Sequence, residues 1–298
     1  MAVRLRGCIP ILATPFLEDG TIEFAAIDRE VAYLLGEGAS GIACNAIASE
    51  GYKLTEAERD AVIERVVGAV GGRVPVVASA DGNGVEPAIE RAVRARRLGA
   101  DALMVLPPMF IKPDADALLE YYRRIGAATD AAMIVQDAPQ LTGVAMSPGL
   151  WVRMAEAIPT FTDVKIEGTP QGATISETRR LCGDRLGVFC GWGGLSMLDA
   201  LERGGVGSMP AANFTREFAT IQRLWESGDR AGAEAVFEAC VPFVLWTMQS
   251  IDFSVASTKE EFRRRGMFAS NHQRTPAVRL DTTARTQLAR FLDRKLGA

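Results

Sequence analysis

Short apolar runs alternate along the chain with longer stretches that are apolar on one side only. The short runs fall at residues 9–13, 41–46, 74–78, 102–106, 132–135, 162–166, 186–190 and 206–209. Their near-continuous apolar character is that of strands covered on both faces. Between them, residues 27–36, 55–70, 86–98 and 115–127 carry apolar side chains at the roughly 3.6-residue period of a helix. Thr55 followed by Glu58 predicts a capping box at one helix start. Gly99, directly after Arg97 and Leu98, predicts a left-handed helix stop.

Strands alternating with helices imply a parallel sheet with helices on its faces. Eight such units, recurring every 20–35 residues, predict an α/β fold of the (β/α)8 TIM-barrel type rather than an open doubly wound sheet. A dinucleotide-binding domain would need a Gly-rich turn after its first strand, where this chain has Thr14-Pro15-Phe16. The run from Ser79 to Gly84 is only a weak Gly-rich match, and a turn into a helix accounts for it. After about residue 215 the strand signals stop, and residues 217–226, 230–248, 257–264 and 283–296 all predict helices. The expected division is a catalytic barrel over residues 1–225 and a C-terminal helical domain over 226–298, docked beside the barrel.

Charge and composition narrow the function. With 33 basic against 37 acidic residues the net charge is −4, so no basic excess exists to neutralise a nucleic-acid backbone. No apolar run reaches the roughly 18 residues that span a bilayer. Arg4 and Arg6 before a short apolar stretch could mimic a signal peptide, but Pro10 and Pro15 interrupt it and no small-residue cleavage site follows. The segment is expected to be a buried strand of a cytoplasmic protein. The cysteines Cys8, Cys44, Cys182, Cys190 and Cys240 are odd in number and widely spaced, neither a disulfide framework nor a zinc pattern. His272 is the one histidine, which argues against His-ligated metals and Ser-His-Asp triads.

The chemistry of such a barrel gathers at the C-terminal ends of its strands. Of five lysines, only Lys165 lies inside a strand run, Thr162-Asp163-Val164-Lys165-Ile166-Glu167. Val164 and Ile166 belong against helices, so Lys165 and Glu167 share the inward face. A lysine that has shed its hydration there is a candidate nucleophile toward a carbonyl, and Glu167, its Cβ roughly 6–7 Å along the strand, supplies a carboxylate to move protons. A purely structural ion pair is the alternative. Gln136 and Asp137, at the mouth of the fifth strand, could hold substrate hydroxyls or simply form a turn before a helix. Residues 45–50 could present the amides of Ala48 and Ser49, with the Ser49 hydroxyl, to a substrate carboxylate. Ser49 as a plain turn cap is equally open. The segment Gly191-Trp192-Gly193-Gly194, with Gly191 as its candidate site residue, could line the pocket, approach a carboxylate or make a tight turn.

Over nearly its full length the chain resembles the dihydrodipicolinate synthase / N-acetylneuraminate lyase family of class I, Schiff-base aldolases. The resemblance is carried by Thr14-Pro15-Phe16 with Asp19-Gly20, by Glu50, Leu54-Thr55 and Glu58-Arg59, and by Pro108, Lys112-Pro113, Pro139 and Lys165. It implies a barrel with a C-terminal helical domain, a homotetramer, a 2-keto acid as small-molecule partner, no metal or organic cofactor, and Lys165 as the Schiff-base lysine. The departures matter more. The family's Thr-Thr pair is here Ile47-Ala48, its Y-N-x-P tyrosine is Gln136, and the tyrosine supplied across its tight dimer aligns with Phe110. The arginine that synthases use for a second substrate aligns with Leu141. The proton-relay trio is therefore absent.

Three motifs are similar instead to the 2-keto-3-deoxy sugar acid dehydratases, notably the L-2-keto-3-deoxyarabonate branch. They are Ala46-Ile47-Ala48-Ser49-Glu50, Gln136-Asp137-Ala138-Pro139 and Lys165-Ile166-Glu167. This likeness implies dehydration through a Lys165 imine with Glu167 as proton shuttle, and 2-ketoglutarate semialdehyde as the product from a five-carbon acid. A pyruvate-dependent aldolase of the same family is the nearest alternative. A non-catalytic binding or scaffold paralogue is the alternative from another class.

Overall fold

The computed structural model describes residues 3–297. Its elements run β1 (Gly7–Cys8), α1 (Phe24–Gly36), β2 (Ile42–Cys44), α2 (Glu56–Val70), β3 (Val76–Ser79), α3 (Val85–Arg97), β4 (Ala102–Val105) and α4 (Ala115–Ala127). They continue with β5 (Ala132–Asp137), α5 (Pro139–Thr142), α6 (Pro148–Ala157), β6 (Phe161–Ile166), α7 (Gln171–Cys182), β7 (Gly187–Cys190), α8 (Met197–Glu202) and β8 (Gly207–Ser208). Four helices complete the chain: α9 (Thr215–Glu226), α10 (Arg230–Thr247), α11 (Ile251–Arg264) and α12 (Thr282–Leu296).

The eight strands are parallel in the order β1-β8-β7-β6-β5-β4-β3-β2. The sheet closes where Leu12 N–H donates to Ala43 O at 2.8 Å and Ala43 N–H donates to Pro10 O at 2.9 Å. The first strand is regular only at Gly7–Cys8, ahead of the predicted residues 9–13. Pro10 has no N–H to offer, so pairing beyond Cys8 survives as isolated bridges from Ile11 to Ala43 and Ala211. The predicted capping box is present: Thr55 Oγ1 accepts from Glu58 N–H at 3.3 Å and Thr55 N–H donates to the Glu58 carboxylate at 2.9 Å. Gly99 follows α3 with φ +101°.

Strand alternation sorts the core into two parts. Val164, Ile166, Val135 and Val105 pack outward against the helices. Ile9, Ile11, Val77, Met104, Ile134, Phe189 and Met209 fill the barrel interior. Asp163 shares the inward face of β6 near the barrel's lower end. Burial lifts its carboxyl to about 6, against a smaller lowering by the Thr162 hydroxyl and by Arg4.

The folded form holds its proton more tightly than the unfolded chain, whose Asp titrates near 4. Stability from this site is therefore fully present below about pH 4 and is lost as pH rises to about 6 and beyond, by on the order of 2–3 kcal/mol. Asp163→Asn is expected to gain on the wild type in melting temperature between pH 4 and pH 7. Parallel melting curves across that range would refute the assignment.

The C-terminal helices do not simply sit beside the barrel, as the sequence suggested. The break between α10 and α11 lies over its mouth, and α11 begins at Ile251, ahead of the predicted residue 257. The Ser250 side chain caps it by accepting from Phe253 N–H at 3.2 Å. Ser254, Ser257, Thr258, Lys259 and Glu261 are all buried on α11, so its buried side carries polar groups as well as apolar ones. No single helix among the described residues is long and apolar enough to cross a membrane.

Candidate active site

The upper ends of β5 and β6 place three polar side chains together. Gln136 and Lys165 are register partners across the two strands. The ladder runs one step beyond β6, where Glu167 N–H donates to Asp137 O at 2.9 Å. Glu167 is thereby fixed as firmly as a strand residue, and Gln140 Nε2 donates to its carbonyl at 2.8 Å. Lys165 Nζ lies 2.8 Å from Glu167 Oε1, and Gln136 Nε2 donates to the same oxygen at 2.9 Å. All three residues are at least 95% buried. Glu167 Oε2 makes no hydrogen bond among the described residues, and Gln136 Oε1 is buried without a partner. A buried acceptor left empty is costly unless a ligand or water meets it.

These groups open into a cavity with about 480 Å³ of empty space, its mouth included. Ile11 and Met209 floor it, Ile47, Ala48 and Leu141 wall it, and Trp192, Gly193, Met248, Ile251 and Ser254 reach it from the β7 loop and the C-terminal helices. The three non-glycine residues with positive φ among the described residues, Asn45, Glu50 and Trp192, all sit in the two loops that border it. Left-handed backbone at ordinary residues is held only where its surroundings over-determine it. Around Glu50 they do: its carboxylate pairs with Lys53 at 2.9 Å and with the buried Lys259 of α11. Lys259 Nζ also donates to His272 O at 2.8 Å, and burial brings its amine down to about 8.

Four further residues were predicted for substrate binding, and the geometry treats them differently. Ala48 lines the cavity. Ser49 does not: it is fully buried, its hydroxyl donates to Leu12 O at 2.6 Å and its N–H donates to Ala46 O at 3.1 Å. Its donors are spent on the fold, so it is a turn residue and not a carboxylate ligand. The amides of Ile47 and Ala48, by contrast, donate to nothing among the described residues. Asp137 alternates with Gln136 and points out of the barrel, where its carboxylate accepts from Met146 N–H at 3.2 Å. Burial lifts Asp137 to about 6, yet it does not line the cavity. Gly191 stands behind Glu167 and does not line the cavity either; a Cβ there would overlap Glu167 Cγ. Its lack of a side chain lets the carboxylate lie where it does.

Of the segment Gly191–Gly194 expected to line the pocket, Trp192 and Gly193 do so, whereas sequence reasoning missed the contributions of Met248, Ile251 and Ser254, along with the Glu50–Lys53–Lys259 cluster. The available signal was Lys259 itself, a lone lysine in a stretch of small residues. Leu141 supplies apolar wall at the position where the resemblance places an arginine in synthases. Phe110 is 87% exposed and lines no part of its own chain's cavity.

Comparison with known proteins agrees with this architecture. The model of the dihydrodipicolinate synthetase family matches residues 4–295. The chain is 30% identical to the L-2-keto-3-deoxyarabonate dehydratase of Azospirillum brasilense, over 97% of this chain and 95% of that protein. It is 33% identical to the 4-hydroxy-tetrahydrodipicolinate synthase of Pelobacter propionicus, over 75% of this chain and 77% of that one. The crystal structure of dihydrodipicolinate synthase from Rhodopseudomonas palustris superposes with a TM-score of 0.91 at 27% identity, covering 97% of both chains.

Proposed function

The chain belongs to the dihydrodipicolinate synthetase family, and we propose that within it the protein is a Schiff-base-forming dehydratase of a 2-keto-3-deoxy sugar acid. The five-carbon candidate is L-2-keto-3-deoxyarabonate, giving 2-ketoglutarate semialdehyde. One observation carries the proposal: Glu167 Oε1 binds both Lys165 Nζ, at 2.8 Å, and Gln136 Nε2, in a cavity with no tyrosine. The base is within reach of carbon 3 of any keto acid joined to that amine.

The Lys165 amine adds to the C2 carbonyl and expels its oxygen as water, forming an iminium. Glu167 takes a proton from C3, and the electron pair becomes the C2–C3 double bond of an enamine. The enamine pushes out the C4 hydroxyl, which leaves as a second water with the proton returned by Glu167. Loss of a C5 proton and gain of one at C3 move the new double bond to C4–C5, an enol that becomes the aldehyde. Hydrolysis of the imine returns one water and frees Lys165, for a net loss of one. The iminium is the electron sink, and positioned acid–base help is worth about 10²–10⁴-fold. The amides of Ile47 and Ala48 are assigned to the substrate carboxylate, and Gln136 Oε1 to the C4 hydroxyl.

Product analysis tests this. With 2-keto-3-deoxypentonate the expected product is a keto acid lighter by one water, without pyruvate. Pyruvate and an aldehyde in equal amounts would make the protein an aldolase. No product and no borohydride-trapped adduct would leave a non-catalytic barrel.

A further inference from the structure

The polar groups on the cavity are few. Beyond Lys165, Glu167 and Gln136, which are joined to one another, its lining side chains offer only the Ser254 hydroxyl and the Trp192 indole. Ser254 is 4% exposed and sits on α11 among other hydroxyls. Those neighbours are spent in the way helix hydroxyls usually are. Ser257 Oγ donates to Phe253 O at 2.6 Å, and Thr258 Oγ1 bonds Ser254 O and Asn213 Oδ1, both at 2.9 Å. Ser254 Oγ makes no such bond among the described residues, although Ser250 O lies one turn back. Around it the wall is apolar, with Met248 and Ile251 on the same helical cap.

The position of Ser254 is well defined. Lys259, one turn further along α11, is locked to Glu50, and Asp252 lies 3.9 Å from Lys53. Both pairs tie α11 to the turn after β2 that carries Ile47 and Ala48. At the other side, Met248 packs on Gly193 of the β7 loop. The cap is thus braced on two loops of the barrel mouth, as a recognition element needs to be.

We infer that Ser254 determines substrate specificity by hydrogen-bonding the terminal hydroxyl of a five-carbon 2-keto-3-deoxy acid. The inference rests on the Schiff-base reading above. With the keto carbon at Lys165 and the C4 hydroxyl at Gln136, one hydroxyl-bearing carbon remains. Ser254 is the one uncommitted aliphatic hydroxyl on the lining to receive it. An acid without that hydroxyl leaves Ser254 unpaired against Met248 and Ile251. A longer polyhydroxy chain must bring further hydroxyls against the same apolar wall with nothing to meet them.

The test is competitive trapping with borohydride, read by intact mass. The probes are pyruvate, 4-hydroxy-2-oxopentanoate, which lacks the terminal hydroxyl, and 2-keto-3-deoxypentonate, which has it. Wild-type protein is expected to favour the last over the second by roughly tenfold or more. In Ser254→Ala, a helix-favouring replacement, that ratio is expected to fall to near one while pyruvate still traps. A ratio that survives the substitution overturns the inference. So does an equal loss of pyruvate trapping, which would put Ser254 on the carboxylate. If wild-type protein traps no pyruvate at all, the Schiff-base reading itself fails and takes this inference with it.

Discussion

Lys165→Ala is expected to abolish both turnover and borohydride-trapped adduct, lowering the rate by more than about 10⁴-fold. Lys165 is the only amine on the cavity among the described residues, so no second lysine can take over: Lys259, though buried, faces Glu50 and lines no part of it. The substitution also has a structural cost that the strand pattern did not predict. Glu167 is about 4% exposed and loses its cation, and breaking a buried pair typically costs about 3–5 kcal/mol. Water entering the vacated space reduces that figure here. The melting temperature of Lys165→Ala is expected to drop, and Lys165→Ala combined with Glu167→Gln is expected to recover part of it, since the orphaned charge is then gone. Neither variant is expected to trap a keto acid. A trapped adduct in Lys165→Ala, located elsewhere by peptide mapping, would remove Lys165 from the mechanism.

What was visible in the sequence, and what was not, follows from range. Strands buried on both faces leave runs that need no knowledge of neighbours, so β2 through β8 were legible to within a few residues. The inward aim of Lys165 and Glu167 followed from period-two alternation alone. Ser49 and Asp137 failed for a different reason. Each has the right chemistry beside the right strand, but its orientation depends on hydrogen bonds to Leu12 and Met146, set by backbone that folds in from elsewhere. Local sequence cannot say whether a hydroxyl is already spent. The start of the upper cap was hidden for a third reason: α11 opens with small polar residues that it buries, which read locally as a loop, so the helix was legible only from residue 257. Residues at or beside a site are those most apt to break local rules, and Ser254 and Lys259, both buried polar groups, do.

Glu167→Gln separates this protein from a family member that works through a tyrosine relay. The amide keeps the size of the carboxylate, and its oxygen can still accept from Lys165 Nζ and from Gln136 Nε2, the contacts that Oε1 makes at 2.8 and 2.9 Å. The backbone bond from residue 167 to Asp137 O is untouched. Fold and imine chemistry at Lys165 are therefore expected to persist. Proton removal from C3 is not, because an amide has no basic oxygen, and dehydration is expected to fall by about 10²-fold or more. The adduct that accumulates should carry the full mass of the substrate skeleton, with its C4 hydroxyl still in place. Substitutes for the base are scarce. Asp137 points away from the cavity, and Phe110 and Leu141 carry no proton. Near-wild-type turnover of Glu167→Gln would return Glu167 to the role of structural partner. The base would then be sought in a water held by the unpartnered Oε1 of Gln136, and Gln136→Leu would become the deciding variant.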